Sequence, residues 1–165
     1  MRWITASTSL GLKFLYAPRR GVPRPSELLN EALFEVETTE AQREQRQKIF
    51  HEVAEAIEAR GVGISKIKQI GQRINSRSGV SRPWYKALSE AKNEQEHREI
   101  QKAVAEWADG DTISAHIAYR NDVLCAGDKA GSAGTNSVFD QENRRWLEET
   151  YGIRFVTLSE LAVSL

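Results

Sequence analysis

The stretch Gly110–Asp128, GDTISAHIAYRNDVLCAGD, holds a short helix pattern, a turn and an apolar run in succession, with an acid near each end. Asp111 suits the N-cap of a helix, because its side chain can accept a bond from backbone N–H groups that lack helical partners. Ile113, Ala115, Ile117 and Ala118 then supply an apolar side. Arg120–Asp122 reads as a turn, and Val123–Ala126 as a buried strand that runs out at Gly127-Asp128. Asp128 is thereby placed at the carboxyl end of a strand, the edge where ligands bind in open α/β sheets.

Working outward toward the C-terminus, Asp140 caps a helix with Trp146, Leu147 and Tyr151 on one side, and Gly152 stops it. Ile153–Val156 is a second apolar run, and Thr157 to Glu160 has capping-box spacing for a last short helix. Strand, helix and strand within about thirty residues form a βαβ unit, so the two strands are expected to be parallel neighbours. Cys125 falls inside the first of them and is expected to be a small buried hydrophobe.

The run DGDTISAHIAYRNDVLCAGDKAG followed by ENRRWLEETYGIRFVTLSEL resembles the C-terminal part of a PIN domain, a nuclease fold found in many bacterial toxin ribonucleases. The similarity spans roughly residues 100–163, and Asp111 and Asp128 match two acids of the family site. The resemblance implies an α/β, three-layer fold with a parallel sheet. It further implies a Mg²⁺- or Mn²⁺-dependent endoribonuclease in which Asp111 and Asp128 are metal ligands. Leu28-Leu29-Asn30-Glu31 is similar to the family's early helix with its metal-binding Glu, which makes Glu31 a third catalytic candidate, with Glu27 and Glu35 as rivals. RNA, an antitoxin-like protein and a second copy of the chain are the partners the family implies.

Departures from the pattern fall at the N-terminus and in the strand. PIN domains open with Asp-Thr-Asn or Asp-Thr-Ser; the nearest segment here is Ala6-Ser7-Thr8-Ser9-Leu10, with Ser7 in place of the Asp. Either the first strand lies upstream of this chain or that ligand is replaced. Ala126 stands where the family has a hydroxyl. The organisation expected is one domain: a degenerate or truncated part over 1–37, a helix-rich insertion over 38–109 and the βαβ part over 110–165.

Within the insertion, Ile49, Val53 and Ile57 recur at helical spacing from Thr39 to Arg60, with Gly61 as the stop. A helix follows over about Ser65–Asn75, and a long one from Pro83 to about Asp109 with Leu88, Ile100, Val104 and Trp107 on its inner face. No acid occurs between Glu58 and Glu90, whereas Lys66, Lys68, Arg73, Arg77 and Arg82 fall in that gap beside Trp84 and Tyr85. Such clustered cations track phosphates while aromatic rings stack on unpaired bases. An equally weighted reading pairs them with the acids from Glu90 onward. The first gives an alternative function: a catalytically inactive module that binds nucleic acid or a protein partner through these helices.

Bulk properties exclude little. With 23 basic and 23 acidic residues the net charge is zero, so only local clustering can favour nucleic acid. No apolar run reaches the ~20 residues needed to span a bilayer. The N-terminus lacks a signal-peptide pattern, which makes a cytoplasmic location the expectation. His116 lies five residues after Asp111, off the i+4 spacing that would put both on one helix face, and reads as a packing or surface residue.

Overall fold

The computed structural model describes residues 20, 39–79, 81–126 and 136–164. Over these the chain is mixed α/β, mostly helical, with a small parallel sheet of two strands. Helix α1 (Glu40–Ala59) starts at Thr39, whose Oγ1 accepts the Gln42 N–H at 3.2 Å. Its buried face holds Phe50, Val53, Ala54 and Ile57, following the periodicity of the sequence. A turn through Gly61 and Gly63 leads into α2 (Ile64–Ser78), which buries Ile64, Ile67 and Ile74. The four-residue α3 (Trp84–Ala87) lies so close to α2 that a Cβ on Gly71 would sit 2.4 Å from the Trp84 carbonyl oxygen.

Helix α4 (Glu94–Ala118) differs from expectation at both ends. The long helix predicted from Pro83 breaks at a 3₁₀ turn, Leu88–Glu90, and restarts at Asn93, whose Oδ1 accepts the Glu96 N–H at 2.9 Å. It then continues through Asp109, Gly110 and Asp111, so Asp111 is no N-cap; it lies in the helix interior. Two features carry the helix across this glycine and its polar neighbours. The hydroxyls of Thr112 and Ser114 bond back to the carbonyls of Ala108 and Gly110, each at 2.8 Å, which satisfies them inside the helix. Gly110 faces the α1–α2 turn, where any side chain would crowd Gly63 and Ile57. The boundary expected between insertion and βαβ part at 109/110 therefore falls within one helix.

After the turn at Tyr119–Asp122, β1 (Val123–Cys125) pairs in parallel with β2 (Arg154–Val156), with Leu124 opposite Phe155. Between them, α5 (Gln141–Tyr151) is capped by Asp140, which accepts the Asn143 N–H at 2.8 Å, and ends at Gly152 with φ +69°. Thr157 and Glu160 form the reciprocal capping box of α6 (Leu158–Ser164), with bonds of 2.6 and 3.2 Å. The βαβ expectation is met in order and direction.

One core joins the two halves of the described chain: Val53, Ile57 and Val62 pack with Ile113, Val138, Leu147, Ile153 and Phe155. The helical region is thus part of the same core as the strands. Two individual expectations fail. Cys125 is exposed, because the short strand turns alternate residues to opposite sides and this one faces outward. Val104 is 42% exposed; Ala103 and Glu106 take the inward positions on that part of α4.

Candidate functional site

Asp111 is 4% exposed. A carboxylate taken out of water requires polar partners, and one is the backbone N–H of Arg20, 3.1 Å from Oδ2. The Arg20 guanidinium reaches α1, where it bonds the Ala54 carbonyl at 3.4 Å, pairs with Glu58 and lies 3.5 Å from Glu55. Lys68 of α2 pairs with the same Glu58. Arg20 therefore ties the buried acid of α4 to the neighbouring helix.

The position of Asp111 relative to the sheet follows from chain geometry. Seven residues separate it from Ala118, about 10 Å of helix. The turn then sends the chain back, because Leu124 packs in the same core as Ile113 and Ile117. Three residues of extended β1 cover about 10 Å. The carboxyl end of β1, held at Ala126 by a 3.1 Å bond to the Val156 carbonyl, comes back level with Asp111. Asp128 and Glu31 lie outside the described residues, so of the three expected acids only Asp111 can be located. Its carboxylate oxygens suit a hard divalent cation by donor type. Among the described residues no three His, Cys, Asp or Glu side chains gather into one metal-binding group.

The acid-free run folds so that most of its cations meet acids. Arg73 pairs with Glu99 and Arg77 with Glu96, while Arg82 holds both oxygens of Glu90 at 2.5 Å. The same guanidinium hydrogen bonds hold Glu90, Glu96 and Glu99 below the usual carboxylate range. Together with Lys68 on Glu58, four of the five cations marked for nucleic acid are engaged within the chain. Lys66 is half-buried in α2. Of the two readings of this run, the paired helix face is the one the side chains form.

His116 is a packing residue of α4, 8% exposed, and its Nε2 has no hydrogen-bond partner. Burial pushes its pKa below the ordinary value, against smaller opposing contributions from the Asn121 backbone and Asp122. His51 and His97 are exposed.

A second buried acid escaped the sequence reading. Glu106, 8% exposed, accepts from Ser137 Oγ at 2.8 Å, Val138 N–H at 2.6 Å and Gly63 N–H at 3.4 Å. Asn143 extends the network, donating to the Ser137 carbonyl at 2.9 Å and accepting from Arg60 Nε at 2.6 Å. One signal for it is present in the sequence: Glu106 sits between Ala103 and Gly110 at i+3 and i+4 spacing, a charged residue on an otherwise small and apolar stripe.

Compared with known proteins, the chain matches no family model, no curated protein and no solved structure. Among the described residues no helix is long and apolar enough to cross a membrane.

Proposed function

We propose that the chain is a PIN-type endoribonuclease that cleaves RNA with Mg²⁺ or Mn²⁺, in a three-layer fold whose acidic site joins Asp111 and Asp128, with Glu31 as third acid. One observation carries this reading: a buried carboxylate inside α4 lies level with the carboxyl end of a parallel strand, two residues before Asp128 in the chain. A divalent cation bound by such acids polarises a phosphate oxygen and lowers the pKa of a water. The chain's own part is to keep acids together that would otherwise repel. Asp111 is suited to this because the helix and the Arg20 N–H restrict its rotation. A cytoplasmic setting and an antitoxin-like partner belong to the same proposal.

The alternative, an inactive module that binds nucleic acid through the helices of residues 38–109, requires Arg73, Arg77 and Arg82 to leave their glutamates. Those ion pairs weigh against it.

The test compares cleavage of a mixed RNA substrate by the parent, Asp111→Asn and Asp128→Asn, with Mg²⁺, with Mn²⁺ and with chelator. The reading requires metal-dependent cleavage by the parent and its loss in both variants. Equal cleavage by parent and variants discards the assignment.

A further inference from the structure

The proposed site draws its acids from two parts of the fold. Asp111 belongs to α4, whereas Asp128 follows β1 in the βαβ unit. Something has to fix the distance between these parts, because a divalent ion accepts carboxylate oxygens only over a narrow range of separation. Apolar packing between α4 and the strands restricts approach but is weakly directional.

Glu106 makes the directional connection. It projects from α4 more than one turn before Asp111 and takes two bonds from the segment that leads into α5, the Ser137 hydroxyl and the Val138 N–H. A third bond comes from Gly63 in the α1–α2 turn, the turn whose backbone also abuts Gly110. The far side of this segment is held as well, since Asn143 bonds the Ser137 carbonyl and the Arg60 side chain. Four parts of the fold thus converge on one buried carboxylate: α4, the α1–α2 turn, the α5 entry and, through Asn143, the end of α1. Buried, charge-assisted bonds of this kind are short and strongly oriented, so they define a position where apolar contacts tolerate sliding.

We infer that Glu106 is a positioning residue: through Ser137 and Val138 it sets the βαβ unit against α4 and so holds Asp111 at the separation the metal requires. The inference rests on the nuclease reading. It concerns a residue that touches neither metal nor RNA, and its effect resembles that of outer-sphere partners, whose loss typically weakens metal affinity about 10–100-fold.

The experiment measures Mn²⁺ affinity by titration calorimetry, and thermal stability by circular dichroism, on the full chain. The proteins are the parent, Ser137→Ala, Ser137→Thr, Glu106→Gln and Asp111→Asn, each kept well below its own melting temperature. Ser137→Ala removes a single bond to Glu106 and is expected to weaken Mn²⁺ binding by about tenfold. Ser137→Thr, which keeps the hydroxyl, restores most of the loss, and Glu106→Gln shifts affinity in the same direction as Ser137→Ala. A lower melting temperature with Mn²⁺ affinity unchanged in both Ser137→Ala and Glu106→Gln makes Glu106 merely structural and overturns the inference. Should the parent bind no Mn²⁺, or Asp111→Asn bind it as the parent does, the metal reading fails and the inference with it. In the first of these failures Asp111→Asn still loses the metal; in the second it does not distinguish itself from the parent.

Discussion

Gly63 and Gly110 meet backbone to backbone: a Cβ built on Gly110 would lie 3.3 Å from the Gly63 Cα, and one on Gly63 would lie 2.9 Å from Ile57 Cγ2. This contact lets the middle of α4, with Asp111 next along the chain, press against the end of α1. The two glycines are expected to respond differently to substitution. Gly63 has φ +60°, so Gly63→Ala adds left-handed strain to a clash and should destabilise by about 1–3 kcal/mol. Gly110 is helical, and Gly110→Ala gains about 1 kcal/mol of helix propensity against its tighter contact, leaving stability within roughly 1 kcal/mol of the parent. Urea unfolding of both variants checks the order, and equal losses would contradict the assigned geometry.

The ion pairs between α2 and the start of α4 predict a pH and salt dependence. Because hydrogen bonds from Arg82, Arg77 and Arg73 depress the folded-state pKa values of Glu90, Glu96 and Glu99, their contribution is present above the ordinary carboxylate pKa of 4.5. It is lost as pH falls through the depressed values. The groups are near the surface, so each contribution is small and screened by salt. Melting temperature should therefore drop below pH 4.5, and less steeply in the triple variant Arg73→Ala, Arg77→Ala, Arg82→Ala. A parent and triple variant with identical acid profiles would remove these pairs from the account.

His116 has the same sense of dependence from the opposite charge. Burial lowers its folded pKa below 6.5, so between that value and the folded one the unfolded chain binds more protons. Stability is full at higher pH and declines as pH falls below 6.5. His116→Gln should flatten the stability curve on the acid side of neutrality, as read by denaturant midpoints at successive pH values. An unchanged slope there would mean that the imidazole does not contribute.

Cys125 is exposed on β1, and alkylation by iodoacetamide should proceed in the folded protein at a rate insensitive to low denaturant. Reaction only after unfolding would mean that the thiol is covered.

Much of the described architecture could be read from local patterns. Thr39, Asp140 and Thr157 act as the caps their types and spacings foretell, and Gly152 stops α5 with a positive φ. Val123 and Arg154 begin the two parallel strands within a residue of their expected places. These features depend on groups a few residues apart, so neighbouring identities suffice. The misreadings share the opposite character. Asp111 has the chemistry of an N-cap, and only Asn93 upstream and Gly63 across the fold explain why the helix runs through it. The acid-free run from Arg60 to Ser89 looked like a cationic surface, because the glutamates that meet it follow later in the chain.

The amino-acid order alone determined the helical spacing, the caps and the parallel strand–helix–strand succession, since each is set by backbone bonding and side-chain periodicity over one or two turns. Only the tertiary structure decided that Asp111 is buried beside Arg20, that Glu106 gathers Ser137, Val138 and Gly63, and that Arg73, Arg77 and Arg82 are matched by acids. The physical reason is that a charge is indifferent to sequence distance: its partner is whichever opposite charge or hydrogen-bonding group the packed core brings within reach.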